Sequence, residues 1–286
     1  MVIVHYGDQG PTTELANSMV SFDADIRVIA NDLTPRPAGL ADAISWHIPK
    51  RNLGYGDAFN LAIATESRPA YVLLNTDLEM PRVTFDRCLD ELKRPGVGIV
   101  GPVLRFPDGS LQSGAARLTR WRKGPRPDVD PGPRTVDCTW VTGAAMFVRG
   151  EVAHGVGMDG SYFLGGEDAD LCVRAALVGW RTVCVGQCSA VHLQSQVISG
   201  SRWYYYSARN HVWWARTNFG TATAALNWLH ALVILPRVLA ADILVRRNLT
   251  STRLSLLGLR HALRPKPDRA QGSLPDEPLA GRVMAW

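Results

Sequence analysis

The stretch "AYVLLNTD", residues 70–77, is the part of the chain from which the fold can be inferred. Its first five residues are all apolar or aromatic, without the polar alternation of a half-exposed strand, and the run ends in an acidic side chain. Parallel strands that are buried on both faces have this near-continuous apolar pattern. Residues 70–77 therefore predict a central strand of a sheet that is covered by helices on both sides.

The chain before this strand alternates between strand patterns and helix patterns. It predicts strands at 2–6, at 26–31 and near 44–48, a helix at 11–22 and a second helix after a glycine-bearing turn at 52–60. Strands that alternate with helices in this way form parallel sheets with helices on the two faces. We therefore expect an α/β protein with a Rossmann-like, three-layer, mostly parallel sheet.

Three polar side chains, Asn75, Thr76 and Asp77, come directly after the apolar part of the central strand. Ligands of open α/β sheets bind beyond the carboxyl ends of the strands. An aspartate with a second oxygen ligand two residues earlier on the same face can hold a hard divalent cation that bridges nucleotide phosphates. The alternative is that Asn75 and Asp77 only form a turn before Pro81.

The turn "NLGYGDAFN", residues 52–60, places Gly54 and Gly56 ahead of a predicted helix N-terminus. Glycine permits backbone conformations and close approaches that a Cβ atom would prevent, and a helix N-terminus attracts phosphate. The spacing is not G-x-G-x-x-G, and no G-x-x-x-x-G-K-[ST] occurs, so the sequence does not support a dinucleotide-dependent dehydrogenase or a P-loop enzyme. The alternative is that both glycines serve only the geometry of the connection.

Three carboxylates, Glu167, Asp168 and Asp170, crowd the first turn of the helix predicted by "GGEDADLCVRAALVGW", residues 165–180. Capping and the helix dipole account for one or two acids at such a position, and Asp170 can pair with Arg174 four residues later. Three acids exceed that need. A carboxylate at the rim of a pocket is suited to accept a proton from an attacking hydroxyl group.

Composition narrows the class of protein. The 286 residues, with 46% hydrophobic and 20% charged side chains, predict a globular chain of one large or two modest domains. Five cysteines without a C-x-x-C pair favour reduced thiols of a cytoplasmic protein over a disulfide framework or a zinc ribbon. The N-terminus lacks the basic region of a signal peptide and is expected to be a buried strand.

Positive charge is concentrated between residues 201 and 264, which contain nine Arg, no Lys and a single acid, Asp242. Arg202, Arg209 and Arg216 are seven residues apart and alternate with Trp and Tyr, so they can share one helical stripe. This pattern predicts an interfacial helix on an anionic membrane rather than a nucleic-acid-binding surface. A helical subdomain packed on the sheet, or a homodimer contact, is the alternative.

Residues 217–236 contain no charged side chain. Asn227, His230 and a helix break at Pro236 nevertheless argue against a membrane-spanning helix in this segment.

Seven motifs, in this order along the chain, carry a resemblance to a known family: "VIVHY", "NLGYGDAFN", "VLLNTD", "VGIVGPVLRFPDGS", "WVTGAAMFVRGEV", "YFLGGEDADLCVRAALVGW" and "AVHL". The series covers about residues 2–219 and resembles the family-two glycosyltransferases, which have the GT-A fold. It is most similar to bacterial rhamnosyltransferase-type members that build cell-wall and polysaccharide linkers. The resemblance implies an inverting, metal-dependent transfer of a sugar from a nucleotide-diphosphate donor to a hydroxyl group.

The resemblance also implies roles for individual residues. Asn75 and Asp77 stand in the place of the family's D-x-D element, which holds Mg²⁺ or Mn²⁺, and His192 falls where a histidine can approach the same metal, although a lone histidine is more often structural. Asp168 matches the catalytic base, and Glu167 would support it. The implied nucleotide-sugar-binding positions are Tyr6, Asn31, Asp32, Asn52, Gly54, Tyr55, Asn60, Asn75, Thr76, Asp77 and Gly143.

Two departures from the family pattern concern the donor site. Ala30 stands where the family carries an Asp that helps to hold the nucleobase, so Asn31 or Asp32 would have to substitute for it. Asn75 replaces the first acid of D-x-D, which leaves the metal dependence open.

The expected organisation is a catalytic domain at 1–200, with a nucleotide-binding half at about 1–100 and an acceptor half at about 101–200. A basic aromatic helical extension at 201–264 and a flexible tail at 265–286 follow. The loop Arg117–Arg134 is expected either near the acceptor or as a solvated surface loop.

The resemblance suggests dTDP-rhamnose as the first choice of donor and a UDP-hexose as the second. The expected acceptor is a glycan or a polyprenyl-linked sugar at the cytoplasmic face of the cell membrane. Two alternatives stay open: a non-catalytic nucleotide-sugar-binding scaffold, and a metal-dependent phosphohydrolase that uses the same acids.

Overall fold

The computed structural model describes residues 1–121, 123, 128–193 and 200–267 of the chain. Part of the loop Arg117–Arg134 and most of the predicted flexible tail, from residue 268 onward, lie outside the described residues.

The described chain forms ten strands and eight α-helices. The strands are β1 Val2–His5, β2 Ile26–Ala30, β3 Ile44–His47, β4 Ala70–Leu74, β5 Leu78–Glu79, β6 Val97–Arg105, β7 Leu111–Ser113, β8 Thr135–Cys138, β9 Ala145–Arg149 and β10 Arg181–His192. The helices are α1 Gln9–Ser18, α2 Gly54–Ile63, α3 Arg82–Leu92, α4 Gly150–Gly155, α5 Glu167–Leu177, α6 Gly200–Phe219, α7 Thr221–Ala241 and α8 Thr250–Ala262.

All ten strands belong to one sheet, whose main path runs β3-β2-β1-β4-β9-β6-β10-β5, with β7 beside β6 and β8 beside β10. The first four strands of this path pair in parallel, and β6 pairs with β10 in parallel. Strand β9 runs antiparallel between β4 and β6. The central position of β4 and the α/β class with the sheet between helices are confirmed.

Two apolar clusters cover the two faces of the sheet. One contains Leu15 and Met19 from the α1 region and Phe85 from α3. The other contains Phe59 from α2 and Leu171 from α5. Because apolar side chains of the buried strands point alternately to the two faces, β4 contributes Val72 and Leu74 to the first cluster and Tyr71 and Leu73 to the second. This division explains the continuous apolar run in β4.

Some predicted boundaries are wrong. Helix α2 begins at Gly54, inside the turn predicted at 52–60, so Gly54 and Gly56 belong to its first turn rather than preceding it. The helix predicted at 11–22 begins at Gln9, where the Asp8 side chain accepts from Gly10 N–H, and it ends at Ser18 before a 3₁₀ turn at Met19–Phe22. An N-cap aspartate therefore starts the helix before the proline that suggested its start. Arg181–His192 form one strand, β10, in which a register shift between Val185 and Ser189 absorbs additional residues.

The helical extension packs α6 against α8 and α7, and α6 also contacts α5. The predicted break at Pro236 is wrong: α7 continues through it and runs on into a π-helical turn at Asp242–Arg246. A proline removes only one backbone hydrogen bond, and the turns on either side keep theirs. Thr221–Arg246 is 26 residues long with a mean hydropathy of 1.8 in its most apolar window, enough by length and composition to cross a membrane.

The predicted lipid-facing stripe of arginines is also wrong. Arg209 is only 2% exposed, and its guanidinium lies over the rings of Tyr205, Tyr206 and Trp213. Arg216 donates to the carbonyl oxygens of Ala262 and Arg264 at 2.8 and 3.0 Å. These two arginines contact protein rather than lipid. Their Trp and Tyr neighbours are amphipathic side chains, which pack as well against a protein surface as against lipid.

Candidate active site

Asn75, Thr76 and Asp77 follow the carboxyl end of β4, as predicted, and His192 at the end of β10 lies beside them. His192 Nε2 is 3.0 Å from Asp77 Oδ1 and 3.4 Å from Asn75 Nδ2. The short antiparallel pairing of β5 with β10 aligns Leu78 with His192 and so fixes this approach. The structure thus brings together the three residues that the family resemblance implied as metal ligands.

The orientation of the His192 ring allows a test of whether these residues suit a divalent cation. His192 Nδ1 is 2.7 Å from Gln112 Oε1. The amide oxygen can only accept, so Nδ1 carries the hydrogen, and the Nε2 lone pair faces the Asp77 carboxylate. Either a second proton on the imidazole or a divalent cation satisfies that arrangement.

Few side chains in this part of the site could act as metal ligands. The part of the chain that the structure describes contains no cluster of three or more His, Cys, Asp or Glu side chains arranged to hold a metal. Asp77 and His192 would therefore hold a cation together with donor phosphates rather than alone. Asn75, implied as a third ligand, presents its amide nitrogen to His192 while its oxygen accepts from Tyr55, so its orientation does not suit a cation.

Tyr55 connects this cluster to the second half of the site. Its hydroxyl hydrogen is shared between Asn75 Oδ1 at 2.7 Å and the Gly143 carbonyl oxygen at 2.9 Å. Burial, together with the nearby carboxylates of Glu167, Asp168 and Asp77, raises the pKa of Tyr55 well above its usual value. Tyr55 therefore stays a hydrogen-bond donor that fixes the Asn75 side chain.

Asp168 lies on the other side of Gly143. The Gly143 N–H donates to Asp168 Oδ2 at 2.9 Å, and the Ala169 N–H donates to Oδ1 at 2.7 Å. Burial raises the pKa of Asp168, and these backbone donors partly offset that rise by stabilising the ionised form. The carboxylate is partly exposed to a cavity and can accept a proton there.

Glu167 is buried beside Asp168, with 4% of its surface exposed. Its Oε2 atom has no hydrogen-bond partner within the described parts of the chain. Burial, followed by the charge of Asp168, raises the pKa of Glu167 to about 8. Glu167 is therefore mostly protonated at neutral pH, whereas the neighbouring acid keeps two backbone donors that favour its ionised form.

Asp170, the third acid of the first turn, has a structural role. It is fully buried and pairs with Arg174 at 2.6 Å, as the sequence suggested, while Tyr162 and Asn218 donate to its other oxygen. The N-cap of α5 is Gly166, which has a φ of 100° and, within the described residues, no side-chain capping bond. Helix capping thus does not account for Glu167, whereas Asp168 accepts from one first-turn N–H, that of Ala169.

A cavity of about 310 Å³ lies in front of these acids. Its walls include Trp140, Trp203 and Trp214, and Asn75 and Asp168 both line it. The three Trp side chains were not among the residues singled out from the sequence. Trp203 and Trp214 belong to α6, whose aromatic pattern had been interpreted as a membrane surface. Flat aromatic walls with a few polar groups suit the apolar face of a sugar ring.

Further implied donor-binding residues lie in α2 or beside it: Asn31 and Asn52 at its amino-terminal end, and Asn60 in its second half. Asn31 accepts from Leu53 N–H and donates to the Gly54 carbonyl oxygen, so both ends of its amide hold the turn. Asn52 accepts from Gly54 N–H, and Asn60 binds both backbone polar groups of Met158. These contacts assign Asn31, Asn52 and Asn60 structural roles in addition to the implied ones.

Asp32 and Tyr6 lie at the carboxyl ends of the first two strands. Asp32 accepts from Gly7 N–H at 2.8 Å and from the Thr34 hydroxyl at 2.8 Å. Burial opposes ionisation of Asp32, but these donors and nearby His5 together lower its pKa. Asp32 is thus an ionised group at the edge where a nucleobase would bind, and its base contact and that of Tyr6 stay predictions.

Known proteins resemble this chain in sequence and in fold. No protein-family model matches the chain. It is 29% identical over 173 residues to the N-acetylglucosaminyl-diphospho-decaprenol L-rhamnosyltransferase of Mycobacterium tuberculosis, a match that covers 49% of this chain and 56% of that protein. The chain thus spans little more than half the length of this relative.

Two solved glycosyltransferase structures are similar in fold. A mannosyltransferase from Pyrobaculum calidifontis, solved with GDP-mannose and Mn²⁺, has a TM-score of 0.53 and 15% identity over 92% of this chain and 86% of its own. GalNAc-T7, solved with UDP, GalNAc and Mn²⁺, has a TM-score of 0.57 and 12% identity over 75% of this chain and 47% of its own. The chain has the GT-A fold, and its sequence resembles the rhamnosyltransferase-type glycosyltransferases, as the motif series indicated.

Proposed function

We propose that this protein is an inverting glycosyltransferase that moves a sugar from a nucleotide-diphosphate donor to a hydroxyl group of a glycan or lipid-linked acceptor. The supporting observation is the continuous connection from Asn75 through Tyr55 and Gly143 to Asp168. This connection links the residues suited to bind a cation and phosphates with Asp168, a carboxylate suited to accept a proton. Asn75 and Asp168, the two ends of this connection, both line the cavity of about 310 Å³, whereas Asp77 lines a separate cavity.

The proposed reaction has one displacement step. Asp168 takes the proton from the acceptor hydroxyl as its oxygen attacks the anomeric carbon, and the bond from that carbon to the diphosphate oxygen breaks on the opposite face. Asp77 and His192 would hold Mg²⁺ or Mn²⁺, which would neutralise charge on the departing diphosphate. Tyr55 keeps Asn75 oriented. The sugar leaves with inverted configuration, and the nucleotide diphosphate is the second product.

The Mycobacterium tuberculosis relative supports dTDP-rhamnose as the first donor to test, because its name describes transfer of an L-rhamnosyl group to a lipid-linked N-acetylglucosamine. A UDP-hexose is the second choice. The same relative favours a polyprenyl-linked sugar as acceptor. The Trp-walled cavity would receive the acceptor ring beside Asp168.

We further propose that α7, with the π-helical turn Asp242–Arg246 that continues it, attaches the protein to the cytoplasmic face of an anionic membrane. Only 6% of the most apolar window of Thr221–Arg246 is buried, and Val233, Leu244 and Val245 are among its exposed side chains. Exposed arginines lie at the end of this span and after it, at Arg246, which also pairs with Asp242, and at Arg247 and Arg253. An apolar face beside a row of arginines is complementary to acyl chains beneath anionic headgroups.

Calorimetry with dTDP, UDP and GDP, with and without Mn²⁺, combined with a transfer assay, tests the catalytic proposal. We expect Asp168→Asn to lower kcat by about 10²- to 10⁴-fold and to leave nucleotide affinity unchanged, because only the proton acceptor is lost. Asp77→Ala should abolish the metal-dependent part of nucleotide binding. Asp86→Asn, which changes an exposed carboxylate paired with Arg82 on α3, is the matched control.

Three results would contradict this proposal in different ways. Equal loss of binding and transfer in Asp168→Asn would refute the assignment of the base. Nucleotide-sugar binding without turnover would favour a scaffold. Hydrolysis to water at a rate close to that of transfer would favour a phosphohydrolase.

A further inference from the structure

The segment Met158–Gly166, which leads from α4 to the acids of α5, has an irregular backbone. Phe163, Gly165 and Gly166 all have positive φ angles, of 66°, 80° and 100°. A non-glycine residue in that region costs free energy and persists only where its surroundings hold it. Glu167 and Asp168 come directly after this segment, so the groups that hold it also determine where the two carboxylates lie.

Two adjacent side chains of α6 hold the carbonyl oxygens of this segment. Arg209 Nη2 donates to the Tyr162 oxygen at 2.6 Å. Asn210 Nδ2 lies within hydrogen-bond distance of three carbonyl oxygens, at 3.1 Å from Tyr162, 2.9 Å from Leu164 and 2.6 Å from Gly165. The last contact is one peptide before the Gly166 N-cap of α5.

Burial makes these contacts strong constraints. Arg209 and Asn210 are each only 2% exposed, so no bulk water can replace a lost carbonyl partner. Arg209 Nε also donates to Asn210 Oδ1 at 2.9 Å, which fixes which end of the amide faces the segment. The ring of Trp213 lies 4.3 Å from the guanidinium carbon and holds it in place.

The residues after α8 hold the opposite side of the same segment. Lys266 Nζ forms an ion pair with Asp159 and donates to the Ser161 hydroxyl at 2.9 Å. It also lies 5.2 Å from the centre of the Tyr162 ring. The Arg264 carbonyl oxygen accepts from Trp213 Nε1 at 3.1 Å, which ties the residues after α8 to α6.

We propose that Arg209 and Asn210 are positioning residues, which fix the Leu164–Gly166 turn and thereby place Asp168 and Glu167 in the cavity. The helical extension is then an integral part of the catalytic centre rather than only an attachment to a membrane. The effect on turnover rests on the proposed glycosyltransferase function. The effect on the turn itself does not, and the two can be measured separately.

The test compares two buried asparagines of the extension in the full chain. Asn210→Leu removes the amide donor at nearly constant volume. Asn227→Leu is the matched control: Asn227 is 4% exposed in α7 and donates to the Thr223 carbonyl oxygen of its own helix. Hydrogen exchange of peptides that cover residues 158–168 is measured in both variants, with the peptide of β4 as internal reference.

We expect Asn210→Leu to accelerate exchange at 158–168 and not in β4, and Asn227→Leu to leave exchange at 158–168 as in the unsubstituted protein. In the transfer assay, Asn210→Leu should lower kcat by about 100-fold, the effect of a misplacement of about 1 Å, with nucleotide Kd unchanged. Destabilisation of the whole protein would not separate kcat from Kd in this way.

Unchanged exchange at 158–168 in Asn210→Leu, or equal acceleration in Asn227→Leu, overturns the positioning role. If the unsubstituted protein transfers no sugar, the proposed function fails, and exchange alone decides the positioning role. If Asn210→Leu does not fold, Arg209→Lys replaces it, because lysine keeps the positive charge and loses the planar donor to Tyr162. The same exchange results then support or overturn the inference.

Discussion

Glu167 is the residue whose environment departs most from that of a solvated carboxylate. It lies in a protein interior beside the charge of Asp168, and its Oε2 finds no partner in the described residues. Such a group is more stable when protonated. A proton on Glu167 also removes the repulsion that would otherwise raise the pKa of Asp168. One acid of the pair is therefore protonated and the other ionised, which would leave Asp168 free to act as the proposed base at neutral pH.

The raised pKa of Glu167 predicts a pH dependence of stability. Because folding raises the pKa from 4.5 to about 8, the folded chain holds this proton more tightly than the unfolded chain. The stabilising contribution is complete below about pH 4.5 and is lost as the pH rises through about 8. In Glu167→Gln, denaturant titrations between about pH 5 and about pH 8 should lack this decline in the free energy of unfolding.

Glu151→Gln, which changes an exposed carboxylate on α4, is the control and should keep the decline of the unsubstituted protein. Parallel pH profiles of Glu167→Gln and the unsubstituted protein would show that Glu167 is ionised in the folded state.

The contact between Gln112 and His192 predicts a second effect. Gln112 accepts from Nδ1 and so directs Nε2 toward Asp77. Loss of such a partner typically lowers metal affinity by about 10- to 100-fold. We expect Gln112→Leu to weaken Mn²⁺-dependent nucleotide binding by about that factor and to leave metal-free binding unchanged, as measured by calorimetry.

The control for this change is Gln187→Leu, at an exposed position of the same strand as His192. An equal loss of metal-free and metal-dependent binding in Gln112→Leu would indicate a disturbed site rather than a reoriented imidazole.

The sequence predicted those site residues that follow a strand or start a helix. Asp77 and Asp168 could be identified because their positions at element ends are visible in the chain. The contacts of Asn31 and Asn210 could not, because each depends on backbone groups of a distant segment. The sequence alone does not distinguish a buried structural asparagine from one that binds a ligand, because the difference lies in which groups the side chain contacts in the fold.

At the scale of elements, the start of α2 and the segment before α5 depend on each other. Gly54 has a φ of 74°, and a Cβ atom built on it would lie 2.3 Å from the Phe163 carbonyl oxygen. The same oxygen accepts from Tyr55 N–H at 2.8 Å. The glycine therefore permits a backbone approach that brings the start of α2 onto the segment before α5, which explains why the sequence carries glycine at this position.

Gly54→Ala should consequently lower the free energy of unfolding by about 3 kcal/mol or more, since it combines a positive φ with a backbone clash. Gly109→Ala is the control: its φ is 82°, and a Cβ atom there would meet nothing within 4 Å, so only the conformational cost of about 1 kcal/mol applies. Denaturant unfolding of both variants measures the difference. Equal destabilisation would mean that the Phe163 segment moves aside at little cost.

Helix α6 illustrates why an amphipathic pattern alone did not reveal its partner. Trp203, Asn210 and Trp214 recur at helical spacing, and that spacing predicts one shared face. The pattern does not determine whether this face contacts lipid or protein, because Trp and Arg side chains pack well in both environments. In the structure the α6 face forms a wall of the cavity, and α7 is the helix left exposed.

At the scale of the whole molecule, α7 is attached to the catalytic centre through the helices it packs against. Helix α6 contacts α7, α8 and α5. A membrane that holds α7 would therefore hold α6, and with it the cavity that faces Asp168, at a fixed distance from the lipid surface. That arrangement suits an acceptor whose sugar projects from a lipid carrier.

The attachment predicts binding of the protein to anionic vesicles in a flotation assay. Burying a Val or Leu side chain is worth about 1.5 to 3 kcal/mol, so replacing both Val233 and Leu244 by Glu should weaken vesicle binding by about 100-fold or more. Leu177→Glu, at an α5 position that is 76% exposed, is the control and should bind as the unsubstituted protein does. Added salt should weaken binding of the unsubstituted protein, because the arginines near α7 meet the headgroups.

Undiminished flotation of the Val233→Glu, Leu244→Glu double variant would contradict membrane attachment through α7. So would a failure of the unsubstituted protein to float with anionic vesicles. If the exposed face instead joins two copies of the chain, the unsubstituted protein sediments as a dimer and the double variant as a monomer. That result would assign the apolar surface of α7 to self-association, since one face cannot be buried in lipid and in a second subunit at the same time.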